Sequence, residues 1–139
     1  MTEVRFGYPN LESLTLSKPE RSAEGELMFI EARIESDGLS AVSNVTAHYA
    51  NCFDDLVAYI EDLAQNWQGW NGQKEYQSLQ RELKLSATHD GVGHVRLEVT
   101  LKGRGDIDPW RTTVIVVTDP GTQMDDAAHG ASSLFAHWA

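Results

Sequence analysis

The stretch Trp67-Gln-Gly-Trp-Asn-Gly72, followed by Ser78-Leu-Gln-Arg-Glu-Leu-Lys-Leu-Ser-Ala-Thr-His89, Asp90-Gly-Val-Gly93 and His94-Val-Arg-Leu-Glu-Val-Thr-Leu101, decides how this chain is read. It parses as a helix end, a tight Asn71-Gly72 turn and a β-hairpin. On the first strand of that hairpin Leu83, Leu85 and Ala87 share one face; on the second Val95, Leu97, Val99 and Leu101 do. Both sets must meet the same core, because a slip of one residue would turn one strand's apolar side to water. This predicts pairing of Leu85 with Leu97 and Ala87 with Val95. On the outer face it sets Lys84 opposite Glu98, Thr88 opposite His94 and Glu82 opposite Thr100. His89 then falls on the inward parity and His94 on the outward one, so the two imidazoles are not expected to share an ion.

Working backwards from Trp67, Phe53, Leu56, Val57, Ile60, Leu63, Ala64 and Trp67 follow the i, i+3, i+4 spacing of a helix with one buried stripe. Asn51 is the expected N-cap, Asp54 and Asp55 suit the first turn, and Gly69 is placed to end the helix. This reading makes Trp67 a core residue. Trp70, between two glycines, is either a lid over the end of the sheet or an exposed interface anchor. Upstream, residues 26–36 alternate as a strand and Asp37-Gly38 is a hairpin turn. Residues 39–50 return as the next strand, and residues 11–17 form a first one. Residues 1–10 read as a loose lead-in and 18–25 as a polar loop.

Downstream, residues 110–118 are almost continuously apolar or β-branched, which predicts a central strand or one covered on both faces. Residues 122–138 give a second helix with Met124, Ala127, Ala128, Ala131, Leu134, Phe135 and Trp138 on its apolar side, weakened at Gly130. The whole is one domain, residues 1–139. Its expected class is α+β in βββα-βββα order: a largely antiparallel curved sheet with two helices on one face.

The 139 residues carry 21 acids and 11 bases, a net charge of −10. Residues 1–70 hold 12 of the acids against 4 bases, whereas residues 74–111 hold 7 bases against 6 acids. Such a chain is poorly suited to nucleic acid, where affinity comes from neutralising phosphates, and to anionic lipid. It suits solubility first and a basic partner second. No apolar run reaches the ~20 residues of a membrane span, and the first residues lack the basic start and apolar core of a signal peptide. The cytoplasm is the expected compartment.

Chemistry-bearing patterns are sparse. Cys52 is the only cysteine, so no intrachain disulfide can form. The histidine spacing matches no standard zinc or iron pattern, and no metal or other cofactor is expected. No nucleophile elbow or phosphate-binding glycine loop occurs, so no catalytic residue is assigned. Asn44-Val-Thr46 and Arg104-Gly-Asp106 match short modification and adhesion motifs, yet a strand and a turn account for them.

Trp67-Gln-Gly-Trp-Asn-Gly, Tyr76-Gln-Ser-Leu-Gln-Arg-Glu-Leu and Ala87-Thr-His-Asp-Gly-Val-Gly-His-Val resemble a family of small uncharacterised bacterial proteins, a domain of unknown function. The resemblance covers residues 11–138 and is most specific over 67–101. Tyr76 and Gln80 stand where that pattern often has tryptophan and glutamate, which marks a variant member. The resemblance implies no activity. In size, charge and expected architecture the chain is similar to small immunity proteins that neutralise bacterial toxins, an analogy at the level of fold only.

Three readings follow. The first is a non-catalytic interaction protein, of the immunity type or another, whose acidic surface (Asp54, Asp55, Glu61 and Asp62 with the 18–26 loop) meets a basic partner. The second is a small-molecule binder or enzyme with a pocket at Trp70, His89, Asp90 and His94. The third is a homodimer joined through an exposed edge strand.

Overall fold

A computed structural model describes residues 3–8, 11–105, 107, 109–119 and 121–135. Two antiparallel four-stranded meanders, each followed by a helix, make up the α+β fold. The first half contains β1 (Val4–Gly7), β2 (Ser13–Arg21), β3 (Leu27–Ser36), β4 (Leu39–Thr46) and α1 (Asp54–Gln65). The second contains β5 (Lys74–Gln77), β6 (Leu83–His89), β7 (Val95–Lys102), β8 (Arg111–Thr118) and α2 (Thr122–Leu134). Strand order follows chain order in each sheet.

Each half therefore has one strand more than the periodicity predicts, and the strands form two sheets rather than one. β1 lies in the expected lead-in, where Val4 and Phe6 alternate into the core. β5 lies in the expected turn region and buries only Tyr76. Four-residue strands with one or two inward side chains leave too short a pattern to see in a sequence. The sheets meet where β1 approaches β8 and β4 approaches β7, and α1 packs against α2 with the rings of Phe53 and Phe135 5.1 Å apart. One continuous hydrophobic core runs through both halves.

Several boundaries move for identifiable reasons. β2 runs on to Arg21 through the expected 18–25 loop, because its register with β3 shifts between Ser17 and Glu20. That bulge, with Lys18 at φ 52°, takes Pro19 into the end of β2 that runs on beyond its pairing with β1. Helix α1 begins on Phe53 with no side-chain cap, and Asn51 sits instead in the turn closed by His48 and Cys52. It ends at Asn66, whose amide nitrogen donates to the Asp62 carbonyl at 2.8 Å. Gly69, at φ 134°, lies beyond it in the next turn. Trp67 is thus released from the stripe and is 52% exposed, not a core residue.

The β6–β7 hairpin buries every apolar residue expected to face inward, while His89, on the same parity, is half-buried. Its register, however, is two residues away from the expected one: Leu85 pairs with Val99, Ala87 with Leu97 and His89 with Val95. Lys84 therefore lies opposite Thr100, Ser86 opposite Glu98 and Thr88 opposite Arg96. Side-chain alternation has a period of two, so it cannot separate registers two apart. The turn decides between them: the Asp90 N–H donates to the His94 carbonyl at 3.1 Å and closes the loop one rung later.

β8 is an edge strand and not a doubly covered one. Val114, Val116 and Thr118 are buried while Val117 is exposed. On α2, Met124, Ala127, Ala131 and Leu134 are buried, followed by Phe135; Trp138 and Asp106 lie outside the described residues. Gly130 has a tertiary purpose, because a Cβ there would sit 2.8 Å from the Glu3 carbonyl. The glycine lets β1 lie against the helix.

Glu82 locks the two halves together. It is 2% exposed. Its Oε1 accepts from the Ser78 hydroxyl at 2.9 Å, and its Oε2 accepts from the Thr46 N–H at 3.2 Å and the Thr46 hydroxyl at 2.8 Å. The Glu82 carbonyl accepts from the Lys102 N–H at 2.8 Å, and the Ser43 hydroxyl donates to the Lys102 carbonyl at 2.8 Å. Buried polar groups on the facing edges of the sheets are thereby paired.

Candidate functional site: the Trp70–His94 corner

The loop after α1 and the β6–β7 turn fold against each other at one corner of the second sheet. Trp70 meets the His89 ring edge-on with centroids 5.3 Å apart. His89, the last residue of β6, is held at both nitrogens. The Gly91 N–H donates to Nδ1 at 2.8 Å, so Nδ1 carries no proton, and Nε2–H donates to the Trp67 carbonyl at 3.0 Å. The ring is a strut between two turns, with the Nε2–H tautomer set by its partners. His89 also forms the surface beside Gly69, where a Cβ would meet the ring at 3.4 Å.

Asp90 organises the turn itself. Its Oδ1 accepts from the Val92 N–H at 2.8 Å and the His94 N–H at 3.1 Å, and its Oδ2 accepts from His94 Nδ1–H at 3.0 Å. The Val92 N–H bond chiefly holds the Asp90 carboxyl below the usual aspartate range, helped by the backbone and ring of His94. A depressed folded value means stabilisation that is complete above the ordinary aspartate pKa of about 3.9. It is lost as pH falls through the lower folded value. Asp90→Asn is expected to be less stable than the native chain at neutral pH, with the difference closing as the medium is acidified below about pH 4. Denaturation midpoints across that range check this; a difference that persists into acid refutes it.

The two histidines thus have separate partners, His89 the Trp67 carbonyl and His94 the Asp90 carboxylate. Among the described residues, no group of three or more His, Cys, Asp or Glu side chains is arranged to hold a metal. Between Gly69, Trp70, Asn71, His89, Asp90 and Gly91 lies a shallow, open depression of about 450 Å³. Trp70 is half-buried over the core as a lid, and its indole N–H is buried without a hydrogen-bond partner.

The acidic residues of α1 lie nearby but only in part join this corner. Asp62 pairs with Lys74 at 2.8 Å, and the same ammonium stands 5.6 Å from the centre of the Trp70 ring. Glu61 is exposed in the same turn of the helix. Asp54 and Asp55 are exposed at the other end of α1, about 12 Å from Asp62 at a helical rise of about 1.5 Å per residue. Asp55 accepts from the Leu56 N–H at 2.8 Å.

Two tyrosines that sequence reasoning passed over complete this surface. The Tyr59 hydroxyl donates to the Lys74 carbonyl at 2.8 Å and ties α1 to β5. Its phenol is pushed well above the usual range by burial, then by Glu75 and Asp62. Tyr76, whose ring centroid is 5.9 Å from that of Tyr59, is raised by burial, then by Asp55 and Glu82. Tyr59 flanks the apolar stripe of α1, and only the placement of β5 beside that helix gives it a role.

No helix among the described residues is long and apolar enough to cross a membrane. No curated protein and no solved structure matched the chain. A family model described as a family of unknown function (DUF6228) matches residues 8–138, a span that takes in the Trp70–His94 corner, the Glu82 lock and both helices. The chain belongs to that family.

Proposed function

We propose that this protein is a non-catalytic, cytoplasmic protein-binding module of the immunity type, whose acidic face over α1 and β5 meets a basic surface on its partner. One observation carries the reading. Acids from two separate elements, Asp55 and Asp62 on α1 and Glu75 on β5, bear on the same pair of packed tyrosines, Tyr59 and Tyr76. Asp55 and Glu75 are exposed and Asp62 half-exposed around that pair. Lys74 is the base that pairs with Asp62. The field of these acids speeds encounter with a basic partner and disfavours acidic competitors. The bacterial setting implied by the sequence resemblance agrees with this role.

The test is capture of partners from lysate of the native host by the tagged full chain, at about 50 mM and about 0.5 M sodium chloride, across which screening tightens several-fold. A basic protein retained at low salt should be released at high salt. It should also be lost with Glu61→Lys and Glu75→Lys combined. Retention unchanged by salt and by both substitutions overturns the proposal.

A second reading, a small-molecule binder at the Trp70 depression, draws on the unpartnered Trp70 indole N–H. That donor is exhausted if a buried water meets it. A ligand that raises the melting temperature of the native chain but not of His89→Ala would favour this reading.

A further inference from the structure

A second hollow carries two basic side chains. It has a volume of about 520 Å³ and is lined by Phe29, Gln80, Glu82, Lys102 and Arg104, with Gly103 and Gly105 in its rim. That size is within the range of small-molecule sites. It sits over the seam where the Glu82 lock joins the sheets. Through Phe29 and Thr46 it continues into a neighbouring depression of about 430 Å³, which Met28 and Tyr49 border. Met28 is 45% and Tyr49 87% exposed.

The cations of this hollow are uncommitted. Among the described residues neither Lys102 nor Arg104 makes an ion pair or a side-chain hydrogen bond. Arg104 instead lies over the Phe29 ring, with its guanidinium carbon 4.9 Å from the ring centre. This contact sets the guanidinium against the ring, and among the described residues its N–H donors have no hydrogen-bond partner. An exposed arginine ordinarily loses its side-chain entropy on capturing a ligand; one already laid on an aromatic ring loses less.

Charge in the hollow sets the valence of the ligand. Among the described residues of its lining, Lys102 and Arg104 bring two positive charges, and Glu82 one negative. The Glu82 oxygens are already taken by Ser78 and Thr46, so it offers no acceptor to a ligand but still repels a second negative charge. The surplus of one matches a monoanion. Planarity sets its body, because a flat ring can stack on the outer face of Arg104 and continue the sandwich begun by Phe29.

We infer that the Lys102–Arg104 hollow is a binding site for a small aromatic monocarboxylate, its carboxylate bonded to Lys102 and its ring stacked on the Arg104 guanidinium. This site shares no lining residue with the acidic face proposed above, so its failure leaves that reading untouched.

The experiment is a two-dimensional amide and arginine side-chain NMR titration of the full chain with benzoate. Saturable shifts are expected at Gly103, Arg104, Gly105 and the Arg104 Nε–H. Benzamide, the neutral isostere, should produce no saturable shift. Acetate, lacking the ring, and phenyl phosphate, carrying more negative charge, should each bind more weakly than benzoate. Lys102→Gln should weaken benzoate about tenfold, the ordinary weight of a charge-assisted bond, and Arg104→Gln should weaken it severalfold through loss of the stack. Arg104 is exposed, and unchanged amide spectra elsewhere verify that the variant folds. No saturable shift with benzoate, equal shifts with benzamide, or undiminished binding by Arg104→Gln each overturn the inference. Tighter binding of phenyl phosphate overturns the assignment to a monoanion.

Discussion

Glu82→Ala is expected to cost about 3 kcal/mol of folding stability, read from the midpoint and slope of chemical denaturation. The residue is 2% exposed, and its carboxylate is the acceptor for the Thr46 N–H, the Thr46 hydroxyl and the Ser78 hydroxyl. Truncation leaves one buried donor, on Ser78, and two part-buried donors, both on Thr46, without a partner, and each unsatisfied buried group costs about 1–3 kcal/mol. Partial relaxation and entry of water into the adjoining hollow reduce the simple sum. Glu82→Gln keeps the shape and one acceptor oxygen but turns an NH2 group toward a donor, so a smaller loss of about 1–2 kcal/mol is expected. Among the described residues no cation lies within ion-pair distance of this carboxylate, so added salt should hardly alter either loss. A loss below about 1 kcal/mol for Glu82→Ala would mean that the sheets are held by apolar contact alone.

Gly7→Ala carries the second large effect, about 3 kcal/mol. Gly7 has φ 86°, where a β-carbon is strained. It also ends β1 at the seam with the second sheet: an added Cβ would stand 2.7 Å from Val116 Cγ1 and 3.2 Å from Ser13 Cα, and would strike the Glu12 carbonyl. Relief by moving the strand end is opposed by the bonds around it. The Gly7 carbonyl accepts from Gln123 at 3.2 Å, and the neighbouring Tyr8 hydroxyl donates to Asp119 at 3.0 Å. Gly38→Ala separates the two causes. Its φ is 76° but nothing lies within 4 Å of the added atom, so only backbone strain of about 1 kcal/mol is expected. Equal losses at the two positions would show that the sheet seam at Gly7 is loosely packed.

These two residues mark the limit of what a sequence displays. Gly38 follows Asp37 between two alternating runs and is legible as a hairpin turn. Gly7, shortly before Pro9 and Asn10, looks like part of a loose lead-in; the approach of Val116, more than a hundred residues later, gives it meaning. Glu82 has the same character. It falls on the polar side of its strand by parity, so water is its natural expectation, but β4 of the other sheet covers it. The Ser78–Glu82 spacing that makes the stretch recognisable is the near half of a lock whose far half, Thr46, is distant in the chain.

The acidic surface was partly legible. Asp54, Asp55, Glu61 and Asp62 fall on the polar side of α1 from spacing alone, whereas the contribution of Glu75, Tyr59 and Tyr76 requires β5 beside the helix. At the corner, alternation separates His89 from His94, and their partners follow from the turn. The sequence leaves Trp70 open between a lid and an exposed anchor, and it does not give the exposure of Trp67, because the helix stops at Gln65, capped by Asn66, rather than at Gly69.

Local patterning by itself determined the α+β class, the antiparallel hairpins, both helices and the inward face of β6 and β7, because periods of two and 3.6 are written in neighbouring residues. The tertiary structure alone decided the two short strands, the division into two sheets, the hairpin register and the burial of Glu82. Each of these is set by groups far apart in sequence that must find hydrogen-bond partners or room in one shared core, and no periodicity records such a requirement.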